Sequence, residues 1–426
     1  MHSSFSGMYR RFLLIPLLAG LAFSCQLTKT ENTRQPKALF IIVDGIPADV
    51  IEKLELPTLK EIQQVGGYTR AYTGGDADGY SKTPTISAVG YNSLITGTWA
   101  NKHNVWDNDI ADPNYQYWNI FRIAETADSS IKTAIFSTWL DNRTKLIGEG
   151  LPDAGSIYLD FKYDSLEYDT IRFPHGNDRK FIQEIDEAVV NSAAQAIANH
   201  APDLTWVYLE FTDDMGHQFG DSPQFYDAVK AADTQIGKIW NAIKEREKNF
   251  NEDWLIVITT DHGRDAETGK RHGGQSDRER LTWITTNSKN LNQYFKATPG
   301  MVDIMPSIAS HLNLTIPEQI RKEIDGVPFI GPVDIAELKA ALDQDGILLQ
   351  WNLLNPAVDS LTVFTTTTNN FAMGGIDEYQ KLKTVSAKEE KFWFKPDSDS
   401  LFIKILVSTP HQYLNTWFVK KRLSEQ

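Results

Sequence analysis

The chain has 426 residues, with 42 lysines and arginines against 56 aspartates and glutamates, and a formal net charge of −14 at pH 7. A hydrophobic fraction of 41% with 11% aromatic residues is typical of a packed globular protein and excludes a mainly disordered chain. The length exceeds that of most single-core domains, so we expect one large domain and one smaller one. The net acidity argues against binding of a nucleic-acid duplex, because neutralising its phosphates requires a basic face.

The first 24 residues have the pattern of a signal peptide. Two arginines precede an apolar run, Phe12–Phe23, that is too short to span a bilayer. The run ends in LAFSC, which resembles a bacterial lipobox and contains the single cysteine of the chain, Cys25. This resemblance implies cleavage before Cys25 and lipidation of its thiol, which would anchor the protein in the bacterial cell envelope on the periplasmic or surface side. Residues 25–37 would then form a polar stalk. The alternative is an ordinary secretory peptide with an incidental cysteine.

Apolar runs that suit strands buried on both faces of a parallel sheet recur after the stalk. They are Ala38–Val43, Lys132–Thr138, Leu204–Glu210, Trp254–Thr260 and Leu281–Thr286. Helical patterns separate them, and over Pro223–Arg246 apolar residues step by three and four behind an N-cap at Ser222. We therefore expect an α/β domain over residues 38–335, a doubly wound and mostly parallel sheet flanked by helices. Its active site should lie at the carboxyl ends of the strands.

Beyond about Leu338, short strand-like runs follow one another without helices between them. They cover residues 347–353, 360–367, 391–395, 401–408 and 417–421. This pattern predicts a small antiparallel β-sandwich over residues 340–426. Its size and its strand carrying Trp351 resemble a fibronectin type III domain. The alternative is a set of extra strands packed on the larger domain.

Potential metal ligands cluster directly after predicted strands. They are Asp44, the pair Asp213 and His217, the adjacent Asp261 and His262, and His272 ten residues further on. Six such side chains in strand-end order are a specific signal in a chain with 9 histidines. Carboxylate and imidazole ligands without thiolates suit zinc or manganese and do not suit a closed structural zinc site.

The order VDG, PTxS/T, TGxxxxxHxxxDN, DxxGH, DHG and HG resembles the type I phosphodiesterase/nucleotide pyrophosphatase family of the alkaline phosphatase superfamily, over about residues 38–333. The resemblance implies an alkaline-phosphatase-like fold and hydrolysis of small phosphate esters through a phosphoserine intermediate. It places the nucleophile at Ser87, where a helix N-terminus would favour a phosphoryl group. It also implies two divalent ions, with zinc as the first choice. One ion would be held by Asp213, His217 and His272, and the other by Asp44, Asp261, His262 and the Ser87 oxygen.

Three positions bear on the substrate. The family usually has an asparagine three residues after the nucleophile, where this chain has Gly90, as in phosphate-transferring relatives. Asn108, in the HxxxDN segment, supports the fold or contacts substrate, and Arg264 after DHG binds an extra phosphate oxygen or is a turn residue. The sequence after Ser87 lacks the proline and arginine of sulfatases.

A phosphodiesterase is the leading prediction, with a phosphomonoesterase, a phospho-group transferase and a non-catalytic binding lipoprotein as alternatives. The oligomeric state is not predicted.

Overall fold

The structure is a computed structural model that describes residues 34–396 and 400–420, together with Met1, His2, Ser4 and Gly7. Cys25 and most of the predicted signal and stalk therefore lie outside the described residues. The part of the chain from Arg34 onward forms one compact unit. None of the helices in the described part of the chain is long and apolar enough to cross a membrane.

A seven-stranded sheet in the order β2-β7-β6-β1-β5-β3-β4 forms the centre of the larger part. Its strands are β1 (Gln35–Val43), β2 (Gly67–Tyr72), β3 (Thr133–Ser137), β4 (Phe161–Tyr163), β5 (Leu204–Leu209), β6 (Glu252–Thr259) and β7 (Leu281–Thr286). Five adjacent strands, from β6 to β4, are parallel, whereas β7 runs antiparallel to β6 and β2 antiparallel to β7. The prediction of a mostly parallel sheet is confirmed.

Strand β1 shows why the predicted runs are apolar at every position. Ala38, Phe40 and Ile42 face one hydrophobic cluster, whereas Leu39 and Ile41 face the other, on the opposite side of the sheet. All of these side chains are buried, as expected for a strand covered by helices on both faces. Strand β1 also overlaps the last residues of the predicted stalk, since residues 35–37 pair with residues 252–254 of β6.

Helices cover both faces of the sheet. They are α1 (Ala48–Lys53), α2 (Pro57–Val65), α3 (Ser87–Thr96), α4 (Ala100–His103), α5 (Ile120–Ala127), α6 (Lys180–His200), α7 (Phe211–Phe219), α8 (Pro223–Asn249), α9 (Asp277–Arg280), α10 (Ile304–His311) and α11 (Glu318–Arg321). The start predicted for α8 is confirmed, since the Ser222 side chain accepts a hydrogen bond from the Phe225 N–H at 3.3 Å. Helices α6 and α8 pack on one face of the sheet, and α3, α5 and α10 on the other.

A C-terminal antiparallel β region follows at Ile335. Its strands are β8 (Ile335–Asp343), β9 (Gly346–Leu353), β10 (Ser360–Thr366), β11 (Gln380–Ser386), β12 (Lys391–Phe394), β13 (Phe402–Ser408) and β14 (Tyr413–Val419). They form a three-stranded sheet, β12-β9-β8, and a four-stranded sheet, β11-β10-β13-β14. Trp351 on β9 is buried, and its indole N–H donates to the Ala387 carbonyl at 2.9 Å.

Two buried lysines connect this β region with the larger part. Lys404 on β13 bonds Glu323 Oε1 and Asp377 Oδ2, both at 2.7 Å. Lys102 on α4 bonds Asp325 Oδ1 at 2.5 Å and Asn415 Oδ1, on β14, at 2.7 Å. We call these side chains the lysine network. Because the lysines are fully buried, their charges have to be matched by protein groups.

Candidate metal centre and nucleophile

The sheet order brings the predicted ligand loops together. Strand β1 lies between β5 and β6, and the three strands are parallel. The residues that follow them, Asp44, Asp213 on α7 and the pair Asp261–His262, therefore meet at one edge of the sheet. His272 joins them from the loop after β6, where its Nδ1 lies 2.9 Å from the Thr85 carbonyl oxygen.

One group consists of Asp44, Asp261, His262 and Ser87. His262 Nε2 lies 3.4 Å from Asp44 Oδ1, 3.2 Å from Asp261 Oδ2 and 3.3 Å from Ser87 Oγ. The two carboxylate oxygens are buried and have no hydrogen-bond partner. A buried carboxylate oxygen without a partner is costly, so the geometry fits a bound cation at this group.

The second group consists of Asp213, His217 and His272. His217 Nε2 lies 3.2 Å from Asp213 Oδ2 and 3.1 Å from His272 Nε2. His272 uses its Nδ1 for the Thr85 carbonyl, which leaves Nε2 directed at the other two side chains. One carboxylate and two imidazoles able to bind a metal are typical of a catalytic metal site with an open position.

The two groups adjoin each other at His262. Its ring stacks on that of His272 with centroids 3.7 Å apart. Ligand atoms of Asp213, His262 and His272 also lie within 4.8 Å of one another, as do those of Asp44, Asp261 and His262. The structure therefore brings all six predicted ligands into one continuous cluster, with His262 in reach of both groups.

Burial is the main influence on the titratable groups of this cluster, and repulsion between its carboxylates adds to it. Burial, aided by the charges of Asp261 and Asp213, raises the pKa of Asp44 well above its usual value. Burial and the Asp213 carboxylate likewise raise the pKa of Asp261 to about 7. Asp213 differs, because Arg264 and the adjacent histidines outweigh its burial and lower its pKa. Burial lowers the pKa of His262 well below its usual value, so its ring is neutral and available to a metal. A divalent cation would relieve the repulsion between the carboxylates.

Ser87 is the first residue of α3, and all ten residues of this helix are buried. The Ala88 backbone N–H beside it donates to Asn108 Oδ1 at 3.0 Å. Asn108 is thereby tied to the start of the helix, with its amide NH₂ group as the remaining donor. The structure thus places the predicted nucleophile and the predicted substrate contact next to each other.

The position of Gly90, one turn further along α3, has a steric reason. A Cβ atom there would lie 3.0 Å from both the Cβ and the carbonyl oxygen of Asp261. The absence of a side chain at residue 90 lets the helix approach the candidate ligand this closely without crowding it.

Arg264, predicted to bind an extra phosphate oxygen or to be a turn residue, is hydrogen-bonded to protein groups. Its side chain is fully buried, and it donates to the carbonyl oxygens of Gly45 at 2.9 Å, Asp213 at 2.7 Å and Lys270 at 3.3 Å. It also donates to Asp213 Oδ1. The guanidinium is therefore engaged by protein acceptors around the cluster.

Two tyrosines near the cluster were missed by the sequence analysis. The hydroxyl of Tyr208 donates to Asp44 Oδ2 at 2.7 Å, and the hydroxyl of Tyr91 donates to the same oxygen. They occupy one oxygen of Asp44 and leave the other, Oδ1, for an ion. The available signal was a polar-tipped aromatic residue in a largely apolar buried element, strand β5 for Tyr208 and helix α3 for Tyr91.

Comparisons with known proteins identify the family of this chain. The sequence profile of the type I phosphodiesterase/nucleotide pyrophosphatase family matches residues 38–304. Human ectonucleotide pyrophosphatase/phosphodiesterase family member 5 is 23% identical over 274 residues, which cover 60% of this chain and 50% of that protein. The venom phosphodiesterase of Naja atra is 21% identical over 255 residues, which cover 55% of this chain and 27% of the snake protein. The chain thus matches half or less of the length of these relatives.

A solved structure shares the fold. A candidate sulfatase from Bacteroides thetaiotaomicron superposes with a TM-score of 0.51 at 11% identity, covering 83% of this chain and 86% of the other. The family profile covers more than half of this chain and includes all six candidate ligands together with Ser87. The chain therefore belongs to the type I phosphodiesterase/nucleotide pyrophosphatase family of the alkaline phosphatase superfamily, a family of metal-dependent hydrolytic enzymes.

Proposed function

We propose that this protein hydrolyses small phosphodiesters or nucleotide pyrophosphates at a centre that holds two divalent metal ions. The observation that carries the proposal is the convergence of two unpartnered, buried carboxylate oxygens, of Asp44 and Asp261, on His262 beside the Ser87 hydroxyl. Asp213, His217 and His272 would hold the second ion. When bound, the ions supply positive charge that activates the oxygen nucleophile and stabilises the leaving oxygen. Zinc is the proposed metal, because the ligands are imidazoles and carboxylates.

Two residues of the chain have separate roles in the proposed phosphoryl transfer. Ser87 Oγ forms a bond to phosphorus while the ester bond to the alcohol breaks, and the alcohol leaves with one proton. Water then cleaves the phosphoserine bond and restores the serine hydroxyl, so atoms and charges balance over the cycle. The Asn108 amide, oriented by its bond from Ala88, donates to a phosphoryl oxygen.

The choice between diester and monoester depends on the groups around the phosphorus. Gly90 leaves no side chain at the position where relatives usually have asparagine, and a side chain there would press on Asp261. This favours a phosphomonoesterase or a phospho-group transferase as the second candidate function. Arg264 does not provide further support for a monoester preference, because its guanidinium donates hydrogen bonds to protein carbonyl oxygens.

A substrate panel tests the proposal. Purified protein would be analysed for bound metal and then assayed on p-nitrophenyl phosphate, bis-p-nitrophenyl phosphate and thymidine p-nitrophenyl phosphate. Faster turnover of either diester is the expected result. Preference for the monoester would establish the second candidate instead, and metal binding without turnover of any ester would indicate a non-catalytic binding lipoprotein. The Asn108→Ala variant should lose turnover while keeping its metal.

We also propose that Cys25 carries lipid and anchors the enzyme to a bacterial envelope membrane, facing the periplasm or the cell surface. The support is the lipobox-like LAFSC sequence, which contains the only cysteine of the chain. Partition of the full chain into the detergent phase of Triton X-114 is expected, with release into the aqueous phase on Cys25→Ser substitution. Equal partitioning of both proteins would refute the anchor.

Finally, we propose that the β region from Ile335 is a fibronectin type III-like sandwich packed on the larger part of the chain. Its first, second and fifth strands, β8, β9 and β12, form one sheet. The other four strands, β10, β11, β13 and β14, form the second sheet. Two antiparallel sheets with such crossed connections are the architecture of fibronectin type III domains.

A further inference from the structure

The Arg264 side chain joins three segments of the metal centre, namely the turn after β1, helix α7 and its own loop after β6. Its Nε donates to the carbonyl of Gly45 after β1, and one terminal nitrogen donates to the carbonyl of Asp213 on α7. The other terminal nitrogen donates to the Lys270 carbonyl, near His272. Its side chain is fully buried, so water does not compete for these bonds.

The same guanidinium forms a hydrogen bond with one oxygen of Asp213 and leaves the other oxygen without a bond from arginine. It donates to Oδ1, whereas Oδ2 faces His217 Nε2 at 3.2 Å. A carboxylate can bind a metal with one oxygen or with two, and a charge-assisted bond from a buried arginine withdraws one of them. Oδ2 is then the Asp213 oxygen without a bond from arginine, and it faces His217, whereas His272 Nε2 lies 3.9 Å from Oδ1.

Two glycines make room for this arrangement. A Cβ atom on Gly216, within α7, would lie 2.1 Å from Arg264 Cζ. A Cβ atom on Gly45 would lie 2.6 Å from both Arg264 Nη2 and Asp213 Oδ1, and Gly45 also has a φ of +68°, which other residues rarely adopt. In this chain, Gly45 and Gly216 therefore leave the space that the guanidinium occupies.

We propose that Arg264 is a positioning residue that makes Asp213 a one-oxygen ligand. Asp213, His217 and His272 then supply three ligand atoms and leave a fourth position open for substrate, the coordination of a catalytic zinc site. This inference rests on the metal centre proposed above. In this role Arg264 orients the metal ligand Asp213 and does not bind an extra phosphate oxygen of the substrate.

The test uses full-length protein freed of metal and titrated with Zn²⁺ or Co²⁺. In Arg264→Gln, we expect the affinity of one of the two ions to fall about 10- to 100-fold, as is usual when a residue that orients a metal ligand is lost. We also expect weaker visible absorption of the Co²⁺ protein, because a carboxylate binding through both oxygens raises the coordination number above four. Arg264→Lys should not restore the spectrum, since one ammonium group cannot replace the planar fork.

Arg143→Gln is the matched control. Arg143 is also largely buried, with 17% of its side chain exposed, and pairs with Glu149 and Asp164 at 2.5 and 2.6 Å, neither of which is a candidate ligand. It should lower stability without changing metal affinity or the Co²⁺ spectrum. If Arg264→Gln matches this control in both measurements, the positioning role is refuted while the metal centre stands. If wild-type protein binds neither ion, the metal centre itself is refuted, and the inference with it.

Gly216→Ala tests the same inference if Arg264→Gln does not fold. Alanine is favoured over glycine in a helix, so the added methyl should not by itself unfold α7. It would displace the guanidinium, because 2.1 Å is far below a contact distance. We expect the Co²⁺ spectrum of this variant to change in the same direction as in Arg264→Gln. An unchanged spectrum would overturn the proposal.

Discussion

Substituting Lys404 by methionine removes the charge at the centre of the lysine network while keeping the side chain's length. In the native protein, the Lys404 side chain is 0% exposed, and its partners Glu323 and Asp377 are 3% and 2% exposed. Removing one member of a buried ion pair costs about 3–5 kcal/mol, because the remaining charge is left buried without compensation. Here two carboxylates lose the same cation, so we expect the upper part of that range. A cavity contributes little, since methionine fills most of the lysine volume.

The assay is urea-induced unfolding of the wild type and Lys404→Met at equal metal saturation. Lys388→Met is the control, because Lys388 pairs with Asp359 at 2.7 Å on the surface of the same β region, where the two side chains are 58% and 84% exposed. An exposed pair of this kind contributes about 0–1 kcal/mol. A loss in Lys404→Met no larger than that in Lys388→Met would refute the reasoning. Adding Glu323→Gln and Asp377→Asn to Lys404→Met should recover part of the loss if the unpaired charges cause it.

Three further predictions concern the active site and the pH dependence. Ser87→Ala should lower turnover about a thousandfold or more while metal analysis finds an unchanged metal content, and full activity in this variant would exclude Ser87 as the nucleophile. Removing metal with a chelator should lower the unfolding free energy, and Zn²⁺ at a hundred times its dissociation constant should restore about 2.7 kcal/mol for each site; identical unfolding curves would contradict metal binding. Burial raises the pKa of Asp303 to about 7, so the native state keeps a proton that the unfolded chain releases above about pH 4. The unfolding free energy should therefore fall as the pH rises from about 4 to 7, and Asp303→Asn should flatten this slope by up to about 1.4 kcal/mol per pH unit; equal slopes would show that Asp303 does not keep the proton.

The metal ligands could be predicted because each follows a strand whose apolar run is readable in the sequence. Asp44, Asp213 and Asp261 end or follow runs buried on both faces, and parallel strands place their carboxyl ends at the same edge. The structure confirms the main strands and the start of α8, and it brings the predicted ligands together. The pairing of β2 with β7 was not predicted, since a short half-exposed strand at the edge of a sheet has no distinctive pattern.

The arrangement around the ligands depends on contacts between residues far apart in sequence. Arg264 and Gly45 are separated by 219 positions, and Tyr208 and Asp44 by 164, yet each pair is joined by a hydrogen bond. No local pattern encodes such a pair, because the partners meet only when the parallel strands are assembled. The candidate metal-binding side chains and their edge of the sheet are therefore readable from the order of the residues. Which carboxylate oxygens remain free for an ion depends on tertiary packing, because packing determines which donors reach the others.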